Sequence, residues 1–423
     1  MKSIVRALWI LILFPALLAG CGGDEPAEPV NVVIIAIDTL RGDFISLGGR
    51  DWIADPHMAA LAADGTYYAD CQTTAPWTGP AFASLYTGLL PHRHGFFHRQ
   101  FYSLGPQNTT MAELFSDAGY TTGAWVTIGY LTHAYGMHQG LQTGEKFDDH
   151  ADGEAARNVT AAGVRFTGLS SAPPFLAFLH YYDVHAPYTP PAPYDRMYVE
   201  GDPFAGGRPP VLETVLDPLV NMEAHKPEMY AWLEGVTDPD YPVAQYAAGV
   251  SYVDDHVGQV VADLKAKGLY DDAMIILVSD HGEHLGEHGI YYGHSLPYRE
   301  VLHVPLIIKW PGNAHAGTVV RERVSIMDVL PTLLETTGQK VPDGLDGRSL
   351  VGTPEGESLS RIPYSPPEES PLRITHEAKL SEDGTLEGTF KLRGSGAMDS
   401  RLRGIITYSR LQDMTCLLYT SDA

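Results

Sequence analysis

The run Asn31-Val-Val-Ile-Ile-Ala-Ile37 is apolar and mostly β-branched after its first residue, and it stops on Asp38. A strand with one wet face alternates polar and apolar residues, so an unbroken apolar run reads as a strand buried on both faces. Ala124 to Thr127, Phe175 to Leu179, Met274 to Val278 and Val304 to Trp310 read the same way, with helical patterns between them. Alternation of this kind predicts an α/β fold: a doubly wound, mostly parallel sheet with helices on both faces. The clearest helix is expected from Val243 to Lys267, where Val250, Val253, Val257, Val260, Val261 and Leu264 fall at helical spacing and Gly268 supplies a stop. A second is expected from Asp328 to Thr337, closed by Gly338. Residues 190–242 are rich in proline and glycine without periodicity and read as a surface insertion able to shape a pocket.

The two ends read differently from the body. Lys2 and Arg6 lead into an apolar run from Ala7 to Ala19, shorter than the roughly 20 residues of a spanning helix and in keeping with a signal segment. Leu18-Ala19-Gly20-Cys21 resembles a bacterial lipoprotein cleavage box. The expectation is a signal peptide over 1–20, a lipidated Cys21 holding the chain to the membrane of the cell envelope, facing periplasm or exterior, and a tether over 21–30. The main domain is expected over 31–350. Residues 351–423 read as a linker, Pro363 to Pro371, and an incomplete C-terminal subdomain whose last stretch from Cys416 resembles adapter-derived sequence. A formal charge of -24 argues against nucleic acid as a partner. Three scattered cysteines make neither a disulfide framework nor a thiolate zinc site, and Cys71 reads as a buried thiol.

Ligands of parallel α/β sheets collect beyond the carboxyl ends of the strands. Asp38 lies at one such end and Asp280-His281 just past another. One aspartate after a strand is commonly a helix cap; two strand ends offering Asp and Asp-His suit a divalent cation. Thr78, followed by Gly79 and Pro80, falls at the expected start of a helix. Unpaired N–H groups there favour an anionic oxygen, although a plain capping threonine would look the same. His180-Tyr-Tyr-Asp-Val-His185 and Tyr292-Gly-His294 follow apolar strands or glycine-rich loops, as do Glu283, His284, Glu287 and His288. Histidines on exposed loops have no core to fill, so a merely solvated role is a weaker reading for them than usual, because several converge after strands whose ends already carry ligands.

Five motifs in this order resemble the sulfatase family of the alkaline phosphatase superfamily. They are Ile35-Ala-Ile-Asp38-Thr-Leu-Arg; Ala75-Pro-Trp-Thr78-Gly-Pro with Ser84-Leu-Tyr-Thr-Gly88 and Pro91-His-Arg-His-Gly95; His180-Tyr-Tyr-Asp-Val-His185-Ala-Pro-Tyr; Ser279-Asp280-His281-Gly-Glu; and His303-Val-Pro-Leu-Ile-Ile-Lys-Trp-Pro311. The resemblance implies one divalent ion held by Asp38, Asp280 and His281, with Thr78 facing it as nucleophile and ligand. It implies that His185, His294 and the Gly79 amide contact the substrate's oxygens, and that one of the two imidazoles is the general acid.

The family's usual Cys-x-Pro-x-Arg stretch is here Thr78-Gly-Pro-Ala-Phe82, so no formylglycine is expected. Thr39 stands where many relatives carry a second aspartate that also binds calcium; one fewer carboxylate weakens the case for calcium and leaves magnesium, manganese and zinc open, so the ion is not resolved among the four. The family's Lys and His pair near the strand at Ala124 is missing, with His133 nearby. The expected activity is metal-dependent cleavage of sulfate or, given the threonine, phosphate or phosphonate esters of a small molecule, glycan or lipid head group through a covalent Thr78 ester. A phosphoglycerol- or phosphoethanolamine-type transferase and a catalytically inactive surface-anchored binding lipoprotein are the alternatives.

Overall fold

The computed structural model describes residues 29–97, 102–148, 154–169, 174–217, 221, 227–355, 372–380 and 386–394. Its strands are β1 (Val32–Ile37), β2 (Thr66–Gln72), β3 (Thr121–Val126), β4 (Thr143–Lys146), β5 (Phe175–Tyr181), β6 (Met274–Ser279), β7 (His284–Leu285), β8 (Tyr291–Gly293), β9 (His303–Lys309), β10 (Thr318–Val320), β11 (Val324–Ser325), β12 (Leu372–Leu380) and β13 (Leu386–Gly394). The main sheet runs β10-β2-β9-β6-β1-β5-β3-β4, with β11 also on β2. β1 sits between β6 and β5, parallel to both, and its six residues are fully buried.

Side chains of β1 alternate between two cores, as a period of two demands. Val33, Ile35 and Ile37 join the core covered by helices Pro56–Ala63, Glu154–Leu169 and Tyr241–Ala266. Val32, Ile34 and Ala36 join the core under helices Thr78–Thr87, Met111–Asp117 and Val329–Thr336. The sheet is therefore wound on both faces, as the apolar runs imply, and each fully buried Val or Ile contributes roughly 1.5–3 kcal/mol. The long helix packs close to the loop after β5 because Gly249 lacks a side chain: a Cβ there would lie 2.8 Å from the Asp183 carbonyl oxygen.

Three expectations need correction. β9, read as one of the parallel set, runs antiparallel to both β2 and β6; an apolar run carries no sign of direction. Next to it lies β2, which no apolar run announced, because Thr66-Tyr-Tyr-Ala-Asp-Cys-Gln72 mixes polar and aromatic residues. The segment 190–242 is more than surface: Val211, Val215, Tyr230, Leu233 and Val236 are buried in the core beside β1. β12 and β13 form an antiparallel pair of their own. The expected signal peptide, Cys21, most of the tether, Pro363 to Pro371 and Cys416 lie outside the described residues. Among the described residues, no helix is long and apolar enough to cross a membrane.

Candidate active site

The site is assembled at the tips of β1 and β6. The amide of Asp38 donates to the Tyr181 carbonyl at 2.8 Å, which carries the β1–β5 ladder one residue past the strand and fixes where Asp38 stands. The chain then turns at Thr39, whose φ of 56° is unusual for a β-branched residue. That turn aims the Thr39 amide at Asp280 Oδ1, 3.2 Å away, where the His281 amide also donates at 2.8 Å. Tyr246, from the long helix, clamps the same turn by donating to the Thr39 carbonyl at 2.7 Å and accepting from the Arg41 amide at 3.0 Å.

With Oδ1 of Asp280 served by two amides, its fully buried Oδ2 has no hydrogen-bond donor among the described residues. Oδ2 lies 3.3 Å from His281 Nε2, which is 3.9 Å from Asp38 Oδ1. The Nδ1–H of His281 donates to the Gly282 carbonyl at 2.9 Å, so the neutral ring points the Nε2 lone pair at these oxygens. Burial lowers the His281 pKa and keeps that neutral form. Burial first, and Asp38 second, push the Asp280 carboxyl up to about 6. Lone pairs facing lone pairs in a dry cluster are unfavourable unless a cation lies between them. Ligand atoms of Asp38, Asp280 and His281 all lie within 4.8 Å of one another, so one divalent ion fits this donor set.

Thr78 is the first residue of helix Thr78–Thr87, after an extended Trp77, and is buried. Its Oγ1 lies 3.3 Å from His281 Nε2. The Gly79 amide is the next in the first turn, where N–H groups have no helical partner. Gly79 has no room for a side chain: a Cβ would meet the Phe96 ring at 2.5 Å. His294 donates Nδ1–H to the Pro76 carbonyl at 2.8 Å and lies 4.2 Å, centroid to centroid, from His281 and 4.8 Å from Trp77. His185 donates Nδ1–H to the Ala186 carbonyl at 2.6 Å, stacks on Tyr182 and lies 5.4 Å from the His294 ring. The fold thus brings Asp38, Thr78, Gly79, His185, Asp280, His281 and His294 to one place.

Other candidates are engaged elsewhere. Buried His284 has its Nε2 on the Leu296 carbonyl at 3.3 Å, Glu287 pairs with Arg41 at 2.8 Å, and His288 faces Glu300 at 3.3 Å and stacks on Tyr298. His133 stacks on His138 with centroids 3.5 Å apart. Cys71 is a buried free thiol, as expected. Phe82, in the arginine position, is fully buried edge-on between Phe178 and His180, with centroids 5.6 and 5.4 Å away.

The sulfatase family model matches residues 30–339. The chain belongs to the sulfatase family. It is a sulfatase-like ester hydrolase by class, with a doubly wound fold like that of its structural neighbours. It is 28% identical over 361 residues to the ulvan-active sulfatase of Formosa agariphila, covering 77% of this chain and 65% of that protein. With the multifunctional alkaline phosphatase superfamily protein PehA of Trinickia caryophylli it shares 26% identity, covering 76% of each. The phosphonate monoester hydrolase of Silicibacter pomeroyi has a similar fold, with a TM-score of 0.66 at 24% identity over 84% of this chain and 80% of that one.

Proposed function

We propose that this sulfatase-family chain cleaves phosphate, phosphonate or sulfate esters through a covalent ester on Thr78, with a preference for phosphorus over sulfur. The observation that carries this reading is a buried hydroxyl 3.3 Å from His281 Nε2, the nitrogen that also faces the donor-free Oδ2 of Asp280. A divalent cation held by Asp38, Asp280 and His281, with Thr78 facing it, would supply positive charge that favours the alkoxide form of the hydroxyl and polarises an ester oxygen.

The chain's own groups account for the rest. Thr78 Oγ1 attacks the phosphorus or sulfur; the new O–P or O–S bond forms as the bond to the leaving oxygen breaks. His185 or His294, protonated on Nε2, gives its proton to that oxygen, since Nδ1 of each is committed to a carbonyl. Amides of the first turn after Trp77 are placed to donate to the equatorial oxygens. Water then attacks the same centre, and Thr78 leaves and regains a proton. A threonine ester requires this second attack at phosphorus or sulfur. A formylglycine hydrate can instead expel sulfate by breaking its own carbon–oxygen bond, and with Thr78 and Phe82 that route has no residues here.

Address and substrate class follow from the sequence expectations. We place the protein at the bacterial envelope, anchored through lipidated Cys21, acting on an external glycan, lipid head group or small ester. A panel of aryl phosphate, phosphonate and sulfate esters, with mass spectrometry of rapidly quenched protein, tests the reading. A phosphate or sulfate adduct on Thr78 is the expected result; full turnover by Thr78→Ala would refute it.

A further inference from the structure

His180 lies within an apolar strand, where its ring replaces core hydrocarbon. It is the next-to-last residue of β5, fully buried, and pairs in register with Ala36 of β1. Its Nε2 faces Asp38 Oδ2 at 3.3 Å, and its Nδ1 lies 2.9 Å from the Thr127 hydroxyl, just past β3. Three adjacent strands, β3, β5 and β1, thus contribute Thr127, His180 and Asp38 in line. If Nδ1 carried the hydrogen, the Nε2 lone pair would face a buried carboxylate oxygen, a repulsive arrangement. The favourable tautomer has the Thr127 hydroxyl donating to Nδ1 and the proton on Nε2, on the side of Asp38 Oδ2, a close electrostatic contact at 3.3 Å. Phe82, edge-on to the same ring, limits its swing.

The two oxygens of Asp38 then have different neighbours. Oδ1 is turned to His281 Nε2 at 3.9 Å, and Oδ2 is turned to His180. The compact donor set consists of Asp38, Asp280 and His281 and omits His180, so His180 acts from behind the carboxylate.

We infer that His180 is a positioning residue: held by Thr127 and walled by Phe82, it orients the Asp38 carboxylate so that one oxygen points to the cation. This inference rests on the cation reading given above. Carboxylate ligands held by an outer hydrogen-bond partner typically lose roughly 10- to 100-fold in metal affinity when that partner is removed.

The test is Mn2+ and Zn2+ affinity of the full chain by chelator competition, without substrate, beside thermal unfolding of the cation-free protein. His180→Phe keeps ring volume and deletes the donor; the expected loss is about 10-fold or more. Thr127→Val, which frees the tautomer, is expected to lose affinity in the same direction by a smaller factor. His180→Gln can place an amide N–H near the Nε2 position and is expected to recover most of the affinity. Unchanged affinity in folded His180→Phe and Thr127→Val overturns the inference, as does a His180→Gln variant as weak as His180→Phe. A wild-type chain that binds neither ion sinks the cation reading as well, whereas tight wild-type binding with unaffected variants removes only His180.

Discussion

Among the described residues, two places bring ligand atoms of one histidine and two aspartates within 4.8 Å of each other: Asp38, Asp280 and His281, and His57, Asp254 and Asp255. Their composition is the same and their surroundings are opposite. At the second place both Asp254 oxygens are occupied, accepting from the His57 and Met58 amides at 3.0 and 2.7 Å at the start of helix Pro56–Ala63. Its other two members are about half exposed, with side-chain accessibilities of 46% for His57 and 52% for Asp255. At the first place all three residues are fully buried, and Asp280 Oδ2 has no hydrogen-bond donor among the described residues. A carboxylate that caps a helix has spent its lone pairs. Donor atoms left over after the backbone has been served are what mark a cation site.

The largest test of this contrast is chemical. Thr78→Ala should lower turnover by roughly 10³-fold or more with cation affinity within a few fold of wild type, measured by steady-state kinetics and metal titration. His57→Ala should leave turnover unchanged. His294→Ala should cost about 10²-fold in turnover; a drop confined to KM would mean binding alone.

Stability sharpens the contrast next. A cation at a hundred times its Kd should stabilise the wild type by about 2.7 kcal/mol, visible as a rise in Tm. Asp280→Asn should lose most of that rise. Asp254→Asn should keep it and lose about 0.5–2 kcal/mol of baseline stability through the weakened cap.

The smallest effect is that of pH. The Asp280 carboxyl stands at about 6 in the cation-free fold, pushed up by burial and then by Asp38, against about 3.9 unfolded. The folded chain therefore holds this proton more tightly. Its penalty to folding is absent below about pH 4, grows as pH rises to about 6, and is complete above that. A cation must displace the proton, so the cation-induced rise in Tm should be full above pH 6 and shrink as pH falls through it. A rise independent of pH between 4 and 7 would remove Asp280 from the ligand set.

Much of this was legible before any coordinates. β1 is apolar at every position and β6 is apolar from Met274 to Val278, so their edges and the aspartates beyond them could be located from the chain alone. The start of helix Thr78–Thr87 showed in Thr78-Gly-Pro. Strand direction was not legible, because the apolar stretch of β9 reads like those of the parallel strands β1, β5 and β6 although β9 runs antiparallel to β6. Nor was the burial of Tyr230 and Leu233, whose partners lie far off in sequence and leave no local period. His180 was missed as a separate contributor because one polar residue in an apolar strand looks like an interruption. Its signal was parity: it shares a sheet face with Phe178, the face that receives Phe82. A loop rich in glycine can also supply carbonyls and carboxylates that engage imidazoles, as His284 and His288 show.

The clamp on the turn after β1 has a consequence for engineering. Thr39 is kept in a left-handed conformation while Tyr246 grips it from the opposite layer of the molecule. Transplanting the two strand tips into a different α/β scaffold would carry the chemistry's side chains and leave behind the anchor that bends their backbone. A transferable unit has to include the helix bearing Tyr246, and a library that varies that helix for thermostability would also, unannounced, tune the geometry of the proposed cation site.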